Sequence, residues 1–153
     1  MTQAEGKRYV RKQTAARVFV VDDDRRVLLI KHVVPLANGS EVFWATPGGR
    51  IEEGETDGEA AQRELAEELH LSLPMIGPVH TEVVVARFGD EEVENTSLFF
   101  LAKWQGQAFR LDGPTALERS VLRDCKWWSA DEIEAAREPV YPPGLSAFLR
   151  SLA

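Results

Sequence analysis

The order of elements predicts an α/β domain, a mixed sheet with helices on both faces. Three observations carry that class. Runs rich in valine and phenylalanine over residues 15–21, 27–31, 79–88 and 93–105 read as strands separated by turn residues. Residues 56–69 hold the alanines, leucines and glutamates that favour helix. At 153 residues and 17.1 kDa, with 44% apolar content, the chain fits one domain with a sizeable core. Residues 1–13 read as a polar, basic tail or edge segment, and 14–153 as the domain.

Taken in order, Asp22-Asp23-Asp24-Arg25 is a hairpin turn; the aspartates lack the spacing and the following glycine of a calcium-binding loop. Residues 33–41, with Pro35, Asn38 and Gly39, read as a loop, and 41–46 as a short strand delivering the chain to Pro47-Gly48-Gly49. Thr56 is an N-cap, closed into a capping box by Glu59. After the helix come a loop over 72–78, a hairpin with its tip at 89–92, and an irregular stretch over 105–124 with a short helix near 117–122. Residues 125–128 form a strand. Ser129 and Glu132 make a second capping box, opening a helix to about Arg137, and a last amphipathic helix runs over 144–152.

Ala61, Leu65 and Leu69 give the helix over 56–69 one apolar stripe. Glu64, Glu67 and Glu68 fall at i, i+3 and i+4, on one face beside it. Like charges at that spacing cost roughly 0.2–0.5 kcal/mol per pair, and Arg63 is the helix's one cation. A positive ion among the carboxylates would relieve the repulsion, and clustered hard oxygens favour Mg²⁺ or Mn²⁺. A solvated acidic face is the competing reading on charge spacing alone.

The longer pattern goes further. Gly49, five residues, Glu55, seven residues, then Arg63-Glu64-Leu65-Ala66-Glu67-Glu68-Leu69-His70-Leu71 resembles the Nudix box, G-x5-E-x7-R-E-U-x-E-E-x-G-U, with U aliphatic. Only the last glycine departs, replaced by His70. That glycine's place looks like a helix C-terminal residue in left-handed conformation, which His enters more readily than most residues. The substitution puts local geometry in doubt more than chemistry.

The resemblance implies an α/β/α sandwich and an enzyme that hydrolyses a nucleoside diphosphate linked to another group, by water attack on phosphorus. It implies Mg²⁺ or Mn²⁺ held by Glu64, Glu67, Glu68 and the Gly48 carbonyl. Glu64 is one of the carboxylates that would serve as base. Arg63 would orient the glutamates, with Glu55 pairing to it. Members often add a carboxylate from outside the box; Glu118 is the candidate, Asp112, Asp124 and Glu94 compete, and a merely exposed Glu118 fits equally well. Lys31, His32 and Arg87 are candidate phosphate contacts with surface roles as the alternative, and Trp44 either stacks on a base or belongs to the core.

A nucleotide-sensing Nudix-fold binding module without turnover is the rival from another class. Such modules usually lose box carboxylates, and here all are present. A proline or tyrosine marks some subfamilies 15–16 residues past the box; residues 84–87 hold neither, which weakens the ADP-ribose and dinucleoside polyphosphate readings. Nucleoside triphosphates, nucleotide sugars and capped or triphosphorylated RNA ends stay open, as does a homodimer. Net charge of −7 argues against nucleic-acid or membrane binding driven by bulk charge. Cys125, the one cysteine, leaves no internal disulfide framework. With no signal peptide or membrane span expected, the cytoplasm is the default compartment.

Overall fold

A computed structural model describes residues 9–152. The strands are β1 (Tyr9–Val21), β2 (Val27–Leu36), β3 (Gly39–Ala45), β4 (Gly48–Arg50), β5 (Met75–Phe88), β6 (Glu91–Lys103), β7 (Leu122–Trp128) and β8 (Val140–Tyr141); the helices are α1 (Asp57–Leu69), α2 (Ala116–Val121), α3 (Ala130–Glu134) and α4 (Leu145–Ser151). All the strands belong to one sheet, ordered β5-β6-β1-β2-β3-β8, with β4 also pairing with β1 and β7 with β2. β1 runs parallel to β6 over its whole length, from Tyr9↔Glu91 to Val21↔Lys103.

β1 and β2 meet at Val21↔Val27. The turn between them is held by Asp22, whose Oδ1 accepts the Asp24 and Arg26 N–H groups at 2.9 and 2.8 Å. Beyond it the strands take different partners. β1 pairs with β4 through Arg17↔Gly48, Ala16↔Gly49 and Ala15↔Arg50, while β2 pairs with β3 and β7. This divergence brings the glycine pair to the middle of the sheet, next to α1.

Strand alternation splits the core in two. Ala16, Val18, Val20, Leu28 and Ile30 pack against Ala60, Ala61, Leu65 and Leu69 of α1. The opposite faces, Phe19, Val21, Val27 and Leu29, pack with Trp44, Trp128, Leu145 and Leu149 on the α4 side. The sandwich with helices on both faces is therefore the observed architecture. Among the described residues no helix is long and apolar enough to cross a membrane.

Several local expectations change: β5 already starts at Met75, inside the expected loop over 72–78, and β7 at Leu122, inside the expected irregular stretch. Residues 33–41 are not a loop: β2 continues to Leu36 and pairs with β3 through Val33↔Val42, Val34↔Glu41, Pro35↔Ser40 and Leu36↔Gly39. Pro35 is tolerated because β7 follows β2 only as far as His32, leaving one edge free of any donor requirement. The N-terminal strand starts at Tyr9, so residues 9–13 of the expected tail or edge segment belong to β1, and 1–8 lie outside the described residues. The helix expected to reach Arg137 stops at Glu134, where the Ala135 N–H is shared between the Asp131 and Ile133 carbonyls.

Candidate active site

The rotation of α1 is set at both ends. Thr56 Oγ1 accepts the Glu59 N–H at 3.1 Å, and Glu59 Oε1 accepts the Thr56 N–H at 2.9 Å. At the other end His70 adopts the left-handed conformation, φ 54° and ψ 37°, and its N–H reaches the Ala66 carbonyl. With Ala61, Leu65 and Leu69 buried between these caps, Glu64 and Glu68 turn toward β4 and β1.

Glu68 is only 6% exposed. Its Oε1 accepts the Gly48 N–H at 2.8 Å. Burial pushes its pKa up to about 8; the Gly48 bond and Arg17 oppose the rise, while Glu64 and Glu118 add to it. The Glu64 pKa is raised for the same first reason, with Arg63 opposing and Glu67 and Glu118 adding. A Cβ on Gly49 would fall 2.5 Å from Glu64 Oε1, so glycine is what lets that carboxylate lie against β4.

Arg63 organises the rim. It grips Glu55 with two bonds, Nε to Oε2 at 2.6 Å and Nη2 to Oε1 at 3.0 Å. Its Nη1 donates to Glu64 Oε1 at 3.0 Å and Glu67 Oε2 at 3.2 Å, and Nη2 to the Arg50 carbonyl. The Glu55 bond is the main cause that lowers the Glu55 pKa and raises that of Arg63. With Arg63 gripping Glu64 and Glu67, and Glu68 on the Gly48 amide, no three acidic or histidine side chains among the described residues converge on one coordination point.

The donor set nevertheless suits a hard divalent cation. It offers carboxylate oxygens of one sign, partly stripped of water, beside a strand carbonyl, and burial of like charges is costly unless a cation compensates. The Gly48 carbonyl and the Glu64, Glu67 and Glu68 carboxylates could hold such an ion, Glu64 and Glu67 each keeping one oxygen on Arg63.

Arg17 is the residue that sequence reading missed. It stands on β1 opposite Gly48. Burial lowers its pKa, and Glu68 and then Glu64 raise it. The signal was present: a lone arginine within Ala15-Ala16-Arg17-Val18-Phe19-Val20-Val21 is a charge in the middle of a core strand, a position charges occupy when paired.

Glu118 is half-buried on α2, and its charge acts on both Glu64 and Glu68. Its competitors have other partners: Glu94 faces Lys12 at 3.8 Å, Asp124 caps the Cys125 amide, and Asp112 Oδ2 meets His70 Nε2 at 3.0 Å. The Asp112 N–H also donates to the Glu68 carbonyl, tying the loop before α2 to the end of α1.

Lys31 lies 4.0 Å from Glu138 and over the Trp44 ring. Trp44 is 6% exposed in the α4-side core, its indole N–H donating to Glu138 at 2.8 Å, so its faces are covered by protein rather than open to a base. Arg87 pairs with Glu92 near the tip of the β5–β6 hairpin. By register it is level with Val10, seven residues along β1 from Arg17, or roughly 23 Å. The structure does not bring Lys31, Trp44 and Arg87 into the carboxylate cluster.

A model of the NUDIX domain family matches residues 11–149. The chain belongs to the Nudix family. In fold, the Nudix domain is similar to the dihydroneopterin triphosphate pyrophosphohydrolase of E. coli, with 19% identity, TM-score 0.66, and 91% of this chain and 93% of that one covered. It is also similar to the MutT protein of Methanosarcina mazei Go1, with 15% identity, TM-score 0.64 and coverages of 92% and 91%. A third likeness is to an Ap4A hydrolase of C. elegans, with 17% identity, TM-score 0.58 and coverages of 90% and 93%. No curated protein matches the chain.

Within this Nudix box, His70 fills the terminal glycine's place at little cost. The backbone strain of a left-handed histidine is offset by its contact with Asp112. His70→Gly is expected to relieve the first and lose the second, leaving Tm within about 3 °C of wild type in a thermal melt. A larger fall would show that the histidine holds the α2 loop in place.

Proposed function

We propose that this Nudix domain hydrolyses a nucleoside diphosphate linked to another group, using Mg²⁺ or Mn²⁺. The observation that carries the reading is the pair Glu64 and Glu68, two carboxylates desolvated together beside Arg17 and the Gly48 amide. A surface helix has no reason to bury like charges, and a site that must hold a divalent cation against phosphate does.

A bound divalent cation supplies Lewis acidity to the phosphate oxygens and the attacking water. The chain's own groups do the rest. Arg63, anchored by Glu55, fixes the directions of Glu64 and Glu67. Glu64, its pKa raised by burial, is a stronger base than an exposed glutamate and is suited to take a proton from the attacking water. Arg17 places a fixed positive charge where negative charge grows on phosphate oxygens. Glu118 would contribute the carboxylate from outside the box.

Candidate substrates are nucleoside triphosphates, nucleotide sugars and 5′-triphosphorylated or capped RNA ends. Pterin triphosphates and dinucleoside polyphosphates join them through the names of the structural relatives. The test is release of phosphate or pyrophosphate across this panel with Mg²⁺ and Mn²⁺, with Glu67→Gln as control. Turnover sensitive to that substitution supports the hydrolase. Silence across the panel, with a nucleotide still raising Tm, would favour a binding module instead.

A further inference from the structure

Arg17 belongs to two places at once. On one side it meets the field of Glu64 and Glu68; on the other it lines a cleft of about 240 Å³ between β3, β5, β6 and the segment after β8. Phe43, Phe99 and Tyr141 make much of that cleft apolar. The Phe43 and Tyr141 rings meet edge-on with centroids 5.7 Å apart, and His32 stacks on Phe43 at 4.8 Å. Such an aromatic wall suits a flat ring laid against it. Thr46, 1% exposed, also lines it, and its hydroxyl has no hydrogen-bond partner in the protein.

Among the described residues one carboxylate stands in the cleft lining: Glu82 on β5. Its Oε1 is held by His80 Nε2 at 3.1 Å. An anionic substrate cannot place phosphate there, because like charges in a partly desolvated cleft repel. The phosphates must lie at the Arg17 end, and whatever meets Glu82 must be neutral and rich in donors. Register fixes the spacing. Arg17 pairs with Phe99 and Glu82 with Ser97, so they are two strands and two residues apart, roughly 12 Å between backbones. That is the scale of a single nucleoside, from base edge to first phosphate.

An ionised carboxylate only accepts hydrogen bonds, through two oxygens in a fork. Guanine presents an adjacent ring N–H and exocyclic amino group and can satisfy both. Adenine and cytosine set an acceptor nitrogen beside their amino group, and uracil sets carbonyls on either side of its N–H.

Resting on the hydrolase reading for the phosphate end, we infer that the cleft is a base-reading site in which Glu82 selects a guanine-type edge.

The decisive experiment measures Mg²⁺-supported binding of GDP, IDP, ADP and UDP by calorimetry, alongside turnover of the matching triphosphates, for wild type and Glu82→Gln. IDP keeps the ring N–H and lacks the amino group. Wild type should favour GDP over IDP and ADP by roughly ten- to a hundredfold, and Glu82→Gln should bring GDP and IDP within about threefold. Equal binding of the four by wild type, an unchanged GDP preference in the variant, or no nucleotide binding at all would overturn the assignment. Absence of turnover with the GDP preference intact and Glu82-dependent would instead remove the hydrolase reading and leave the base site standing.

Discussion

Glu68→Gln is expected to abolish metal-dependent turnover while making the metal-free protein more stable above neutral pH. Glu68 is buried, and its pKa is pushed from the ordinary 4.5 up to about 8. The sign follows from proton counting. Between these values the unfolded chain releases a proton that the fold retains, so stability falls as pH rises from about 4.5 and levels off above about 8. Below pH 4.5 both states are protonated and the contribution vanishes. Glutamine keeps an oxygen for the Gly48 N–H and removes the charge. At pH 8.5, in chelator, the variant should gain up to about 5 kcal/mol, or roughly 10–20 °C in Tm, and at pH 4.5 almost nothing. Mg²⁺ should raise the wild-type Tm and leave the variant's almost unmoved. The rate at limiting Mg²⁺ should fall by at least ~10²-fold. A variant that keeps its rate would show that Glu68 does not serve the reaction, and a Tm profile parallel to wild type would show that it does not carry the buried charge.

Legibility followed the range of the interaction. The capping boxes at Thr56 and Ser129 and the stripe Ala61-Leu65-Leu69 are contacts within one turn or face of a helix, and spacing alone exposes them. The left-handed His70 was readable because helix ends impose their own backbone rule. The crowding of Glu64, Glu67 and Glu68 on one helix was legible because repulsion between neighbours on a helix is local too. Residues that act across the sheet were harder to read. Arg17 gains its place from the β1–β4 pairing and from the divergence of β1 and β2, which no window of a dozen residues contains. Glu82 joins the cleft only through the registers of β5 on β6 and β6 on β1. Pro35 and Gly39 looked like loop residues because their tolerance depends on β7 stopping short of them. Trp44 had neighbours compatible with core or cleft, and the packing of Trp128 against it at 5.1 Å decides for core.

Gly48→Ala and Gly49→Ala, adjacent and chemically identical changes, are expected to fail in different ways. At Gly48 the backbone has φ +148°, and an added Cβ would lie 2.4 Å from the Ala16 carbonyl oxygen and 2.7 Å from the Arg17 Cα. Those are backbone atoms of the central strand and cannot swing aside, so β4 must leave β1 or distort it. The Gly48 N–H would then withdraw from Glu68 as well. A loss of at least ~3 kcal/mol, roughly 6–12 °C, is expected in thermal melts. At Gly49 the obstacle is the Glu64 carboxylate itself, with Oε1 at 2.5 Å. A flexible side-chain end can move, so Gly49→Ala should melt within about 4 °C of wild type yet lose most of its Mg²⁺-dependent rate, because Glu64 is displaced from β4. If Gly49→Ala kept its rate, the position of Glu64 against the glycine pair would be irrelevant to the chemistry. If Gly48→Ala melted like wild type, the approach of β4 to β1 would not be the contact that seats the box. The pair separates the glycine that builds the fold from the glycine that makes room for the Glu64 carboxylate.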